Sequence, residues 1–258
     1  MFGPDRALET LSTAVTEART EVDGLEALLN GKNERFVRFG CSTVLQATSV
    51  NHPRVSFRAV VKGCSAEAAT SIFTLQELRK TRDRAIAMAR AGSLAGNAVD
   101  MPENDGSESI ISIPSAYDES TANAGTNYGQ EALGTAFDSA QRAKVDLAGH
   151  LVTGQHERAI VNSNGLTRYF KATTADSRFY ATAGRASGYS GNVSASMNNL
   201  QLDQHAERAI EKCSRGQDPI SLPAGSYDVI LEPAAVAELV EWMGYIGFTP
   251  RSVEDGTS

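Results

Sequence analysis

The chain has 258 residues, 41% hydrophobic and 21% charged, with a formal net charge of −7. That length suffices for two ordinary domains, and the balance is that of a globular protein rather than a disordered one. The acidic total argues against nucleic acid, whose phosphates call for a basic face; no apolar run approaches the ~18 residues of a membrane span; and no basic stretch followed by an apolar core opens the chain, so a cytoplasmic protein is expected, with neither nucleic acid nor membrane as partner.

Cys41, Cys64 and Cys213 are too scattered, and odd in number, for a disulfide framework or a metal knuckle. Free thiols, buried or partly buried, are expected. The densest basic stretch, Arg79-Lys80-Thr81-Arg82-Asp83-Arg84, falls on an expected helix and reads as its solvated face.

Residues 5–20 read as an amphipathic helix, because Leu8, Leu11, Val15 and Ala18 recur at helical spacing. Four short β runs follow: Gly24–Leu29, Arg35–Phe39, Val44–Val50 and Val55–Val61, separated by turns at Asn30–Asn33, Gly40–Ser42 and Asn51–Pro53. The last is the clearest strand, with Val55, Phe57, Ala59 and Val61 on one side. Short turns between such runs imply an antiparallel meander. A second helix starts at Thr74, whose hydroxyl suits the N-cap with Glu77 completing a capping box. Leu75, Leu78, Ala85, Ile86 and Ala89 form its buried stripe, and Gly92 suits a left-handed stop.

Residues 93–126, rich in Gly, Ser, Asn and acidic residues, read as a connector. A third helix is expected over about Tyr128–Ala148. A second β block follows, with Ala159–Val161, a turn at Asn162–Gly165, Arg168–Phe170, Arg178–Ala181 and Asn192–Ser196. A fourth helix should run from Asp203, a good N-cap, to Gly216. Tyr227–Leu231 reads as a last strand, and a helix after Pro233 places Val236, Leu239, Val240, Met243 and Ile246 at helical spacing. The helix-then-meander blocks at about 5–92 and 128–216 suggest similar shapes, though no sequence period proves it.

The search for chemistry returns little. A zinc peptidase helix needs two histidines one turn apart with a glutamate, and His52, His150, His156 and His205 form no such motif. His156-Glu157 stands in a β stretch, His52 in a turn, and His205 on a polar helix face where solvation is expected. Gly92-Ser93-Leu94-Ala95-Gly96 and Gly188-Tyr189-Ser190-Gly191 lack the spacing or the strand–turn–helix setting of a nucleophile elbow and read as turns. The glycines of 184–191 lack the helix and Lys-Ser/Thr of a phosphate loop and read as a hairpin or bulge.

Three stretches carry a resemblance. They are Asn33-Glu34-Arg35-Phe36-Val37-Arg38-Phe39-Gly40, Glu157 to Leu166 with its Asn162-Ser163-Asn164-Gly165 hairpin, and Pro219 to Val236 with Leu222-Pro223-Ala224-Gly225-Ser226-Tyr227-Asp228-Val229-Ile230-Leu231-Glu232-Pro233. In order and spacing they resemble the TldD/PmbA peptidase family. That family's TldD-type subunits carry H-E-x-x-x-H on the helix after the last strand, with a further metal ligand from the C-terminal domain. Here the corresponding helix reads Ala237 to Gly247, and no histidine follows His205. Glu241 falls near the family's catalytic glutamate, but a general base without a metal-bound water has nothing to activate. The resemblance therefore implies a PmbA/TldE-like subunit with no catalytic residue, metal or cofactor of its own. It also implies that a β-rich C-terminal domain, absent here, would follow the Glu254–Ser258 region.

The expected fold is α+β, built of two-layer units in which antiparallel meanders carry packed helices. Residues 1–92 and 127–217 are the two α+β regions, 93–126 the connector, and 218–258 the start of the C-terminal domain. The expected function is a non-catalytic subunit of a cytosolic peptidase complex that processes unfolded or modified peptides. Its partners would be a TldD-type catalytic subunit, in a heterodimer, and an extended peptide. The alternative is a stand-alone peptide- or partner-binding module. A role in regulating DNA gyrase, attached historically to the family's name, finds no support in the acidic charge.

Overall fold

The computed structural model describes residues 1–92 and 100–258; the Gly92–Gly96 stretch lies outside the described residues from Ser93 onward. The chain begins with helix α1 (Pro4–Thr16). Pro4 suits a first helical turn, where its missing N–H is not needed, and Ala7, Leu11, Ala14 and Val15 form the buried stripe. Strands β1 (Gly24–Gly40), β2 (Thr43–Val61) and β3 (Cys64–Thr70) follow, then helix α2 (Leu75–Ala91). Among its described residues the connector forms β4 (Ile110–Ile111), a 3-10 turn and the short α3 (Glu119–Ala122). Helix α4 (Gln130–Ala143), strands β5 (Asp146–Asn162), β6 (Thr167–Ala183) and β7 (Ala186–Ser194) and helix α5 (Leu202–Arg215) repeat the first pattern. Helices α6 (Pro233–Gly247) and α7 (Pro250–Glu254) end the chain.

Among the described residues seven strands share one sheet, ordered β3-β2-β1-β5-β6, with β7 and the short β4 both on the outer side of β6. Every ladder is antiparallel except β4 on β6. The α+β, mainly antiparallel expectation holds, and the strands are much longer than read from the sequence. Asn30–Asn33 and Asn51–Pro53 are not turns but the middles of β1 and β2, where they pair with each other as Gly31↔Pro53 and Asn33↔Asn51. Central β1 is held on both sides, so its ladder bonds override the turn preference of Asn and Gly. The same merging joins Arg168–Phe170 and Arg178–Ala181 in β6.

Other boundaries move as well. Helix α4 stops at Ala143 with Lys144 left-handed, and Ala148, expected in that helix, lies in β5. Gly92 has φ −63°, so it ends α2 in extended rather than left-handed backbone. The cap of α5 is Gln201, with Asp203 in the first turn, where a carboxylate still favours the positive end of the helix dipole. Tyr227–Leu231 forms no strand; residues 217–232 are exposed and carry no helix or strand. Thr74 does cap α2, accepting the Glu77 N–H at 3.4 Å. Of the basic stretch, Arg82 is buried and donates to the Ala14 carbonyl and to Glu17, while Arg79 pairs with Glu17. That stretch ties α2 to α1 instead of lying free in solvent. Cys64 and Cys213 are buried and Cys41 is exposed.

The two halves superimpose in register. Gly24 pairs with Val60 and Asp146 with Thr182, a displacement of 122 positions for both members. Val55↔Thr70 and Ser177↔Asn192 keep the same displacement. Buried Leu25, Leu29, Phe57 and Ala59 thereby correspond to buried Leu147, Leu151, Phe179 and Ala181. The first set packs with α1 and α2, the second with α4 and α5. Both cores lie on the same side of the sheet, since Leu25, Leu29, Val37 and Phe39 alternate along one face of β1 and join one core or the other. On β7, a Cβ at Gly188 would stand 2.1 Å from the Ala209 carbonyl oxygen, so glycine lets α5 lie directly on the strand.

The halves meet where β1 and β5 pair, around Asn33↔Gln155. Two places away, Glu157 faces Gly31 and is 1% exposed. Its carboxylate accepts the Phe2 N–H at 2.8 Å, the Gly3 N–H at 3.2 Å and the Tyr169 hydroxyl at 3.0 Å. A Cβ at position 31 would approach the Glu157 Cγ to 2.7 Å, so Gly31 makes the room. A buried charge persists only when its oxygens are satisfied, and here the donors are the backbone entering α1 and a ring from β6.

Glu157→Ala removes three hydrogen bonds to a charge and strands buried donors, so it should lower stability by about 3 kcal/mol, against about 1 kcal/mol for Tyr169→Phe. Urea unfolding followed by circular dichroism checks both; equal losses for the two variants would contradict the role given to the carboxylate. Limited proteolysis should cut first within 217–232, before any site in 1–92 or 130–215. Protection of 217–232 equal to that of the sheet would show that the segment docks.

Candidate functional site on the uncovered face of the sheet

Helices cover one face of the sheet, and the even-numbered side chains of β1, β5 and β6 occupy the other. Register places Lys32 between His52 on β2 and His156 on β5, and Arg38 between Gln46 and His150, with Arg178 of β6 beyond His150. Three of the four histidines therefore share this face. His52, read as a turn residue, stands in a strand because its partner is Lys32 of the central β1.

Several charges on this face pair with one another. Lys32 Nζ lies 2.7 Å from Glu34, and His156 Nε2 lies 3.7 Å from the same carboxylate. His150 Nε2 lies 3.8 Å and Arg178 3.4 Å from Asp176. Burial alone would raise the Asp176 pKa, but the His150 hydrogen bond and the Arg178 charge outweigh it and hold it below the usual carboxylate range. At His156 the balance is reversed: burial lowers its pKa despite the attraction of Glu34.

Towards β7 the face opens into a cleft of about 1070 Å³ between β6–β7 and α6, lined among others by Arg178, Tyr180, Tyr189, Glu238 and Trp242. Tyr180 and Tyr189 are tilted against each other with centroids 4.9 Å apart. Burial raises the Tyr189 pKa, so its phenol stays a neutral hydrogen-bond group. Glu232, before α6, pairs with Lys212 and Arg208 of α5. The cleft offers guanidinium, carboxylate and aromatic edges, a set suited to binding.

Ser190 and His205 form a pair that resembles a nucleophile and its base, with Ser190 Oγ 2.7 Å from Nδ1. Ser190 is 6% exposed and lies beneath α5, so a substrate could not reach it. Burial lowers the His205 pKa first, and the nearby Arg208 and Lys212 charges add to that. The expectation of a solvated His205 is thus replaced by a half-buried ring bonded to β7. Among the described residues no three His, Cys, Asp or Glu side chains come together to hold a metal. Asn162 and Ser163 of the Asn-Ser-Asn-Gly turn are structural. Asn162 accepts the Asn164 and Leu166 N–H groups and donates to the Pro102 carbonyl, while Ser163 Oγ accepts the Leu25 N–H.

The fold and this face define a class: an α+β sheet protein with one helix-covered side and one polar, uncovered side. Residues 115–215 match the PmbA/TldA metallopeptidase central domain. Among curated proteins no sequence matches the chain. Its fold is similar to that of TldE from Thermococcus kodakarensis (16% identity, TM-score 0.65, covering 79% of this chain and 47% of that one). It is also similar to candidate DNA gyrase modulators from Bacteroides thetaiotaomicron (16% identity, TM-score 0.75, 95% and 58% covered) and Thermotoga maritima (14% identity, TM-score 0.65, 84% and 50% covered). The chain thus spans about half the length of the solved structures it matches. No helix among the described residues is long and apolar enough to cross a membrane.

Two histidines with depressed pKa values give a signed pH dependence. In the unfolded chain they protonate near their ordinary value, and in the folded protein only at lower pH. Their contribution is therefore complete above about pH 6.5 and is lost as pH falls through the folded values. Unfolding midpoints measured from pH 7 to pH 5 should fall, and the double variant His156→Gln, His205→Asn should show a flatter slope. An unchanged slope would contradict the assignment.

Proposed function

We propose that this chain is the N-terminal part of a PmbA/TldE-type, non-catalytic subunit of a cytosolic peptidase complex. In this reading it pairs with a TldD-type subunit and helps to present unfolded or modified peptides to it. The observation that carries the reading is α6. This helix follows the Leu222–Pro233 stretch, where the family resemblance places H-E-x-x-x-H, and it contains no histidine. It instead exposes Val236, Leu239, Val240, Trp242, Met243 and Ile246. Apolar exposure on this scale marks a surface that another polypeptide covers. A family scaffold without helix-borne ligands has no metal-bound water to use as nucleophile, so shaping a cavity or holding a peptide is the role left to it. The polar face and its cleft supply the groups for such contacts. The alternative, a stand-alone binding module, shares the cleft but leaves the α6 surface without a partner.

Co-expression with the TldD-type protein of the same organism tests the proposal. The two should co-elute and together cleave an unstructured peptide, and neither alone should do so at a comparable rate. The untagged chain should hold no stoichiometric zinc or iron by elemental analysis. Chelator-resistant cleavage by this chain alone, or one tightly held metal per chain, would overturn the reading.

A further inference from the structure

The two halves match in register, but their outer edges do not match in occupancy. On β6 the edge over 169–173 is taken by the chain itself. Ile110 and Ile111 run parallel to Tyr169 and Phe170, the Tyr169 N–H donates to the Ser109 carbonyl at 2.7 Å, and the Asp118 N–H donates to Thr173 Oγ1 at 2.9 Å. Shifted back by 122 positions, Tyr169 and Thr173 become Ala47 and Asn51 of β2. There, among the described residues, no strand pairs with the outer edge before β3 begins at Val55↔Thr70.

The direction of the free groups follows from the ladder. The Val60 carbonyl accepts from Asp23 next to β1, so even-numbered residues of β2 turn their backbone groups toward β1 and odd-numbered ones turn outward. Ala47, Ser49 and Asn51 therefore present N–H and C=O groups to solvent. Pro53 presents only a carbonyl and stops the open register at that end. Pro on an edge is a device against uncontrolled pairing, as is a charged side chain. Yet Thr43 to Pro53 contains no Asp, Glu, Lys or Arg, and it exposes Val44, Leu45 and Val50.

We propose that the outer edge of β2 over residues 46–53 binds an extended peptide rich in β-branched residues by parallel strand addition, as Ser109–Ile111 does on β6. The occupant chemistry is displayed by the chain's own segment at the equivalent edge. Main-chain bonds to Ala47, Ser49 and Asn51 hold such a peptide with little regard to sequence, and Val44, Leu45 and Val50 favour apolar side chains. The inference rests on the extended-peptide part of the proposed function and does not require the heterodimer.

The test is a titration of the ¹⁵N-labelled full chain with a synthetic peptide of residues 107–116. Saturable amide shifts are expected at Ala47, Ser49 and Asn51. Binding should weaken at least tenfold when the peptide is N-methylated at alternate peptide groups, a change that leaves the protein's fold untouched. Ser49→Pro, which deletes the middle outward N–H, should have the same effect. No shifts, shifts confined to 169–173, or peptide-independent self-association through the same amides would each overturn the inference. If the co-expressed pair cleaves peptide unimpaired with Ser49→Pro, the edge assignment falls while the subunit reading stands. If the edge binds peptide but no pair cleaves, the reverse holds.

Discussion

The long pairing of β1 with β5 holds the molecule together, and the buried Glu157 carboxylate sits almost at its midpoint. One antiparallel ladder, from Glu26↔Asn162 to Phe39↔Gly149, joins two helix–meander–helix halves that would otherwise each present a bare sheet edge. Glu157 then fixes the start of α1 and the Tyr169 ring to that seam. Its burial is tolerable because all three partners donate and because Gly31 leaves space opposite. The first core depends on this arrangement: Ala7 and Leu11 of α1 share a cluster with Ala159 and Tyr169 from the second half. The halves are thus not independent layers laid side by side.

Near-repetition also explains the surface. Two units related by a constant displacement bury corresponding leucines and phenylalanines, so both sets of helices fall on one side. The other side carries charged and histidine side chains, several of which pair with one another. Asp176 stays ionised because His150 and Arg178 outweigh its burial, and His156 is disfavoured as a cation because burial outweighs Glu34. The repetition breaks at the outer strands, where the connector fills one edge and leaves its counterpart open. Interactions that differ between the halves are there and at α6, away from the shared cores.

Sequence by itself determined the α+β class, the antiparallel character, the identity of the helices and the lack of a histidine pair on α6. These follow from local rules: 3.6-residue and two-residue periodicities, a capping threonine at Thr74, and the position of each histidine along the chain. The TldD/PmbA resemblance was also legible in the order of its three stretches. Tertiary structure alone decided the rest. Asn30–Asn33 and Asn51–Pro53 carry turn-forming residues, but neighbours distant in sequence supply ladder bonds along 17- and 19-residue strands, and those bonds outweigh local preference. Tyr227–Leu231 alternates like a strand yet forms none, because among the described residues no edge pairs with it. Glu157 looked like half of a His-Glu pair, and only the fold shows that alternation turns its carboxylate inward while His156 faces out. The cleft, the shared histidine face and the unmatched edge of β2 have no signature in the chain, since each depends on which distant segments the fold brings together or leaves apart.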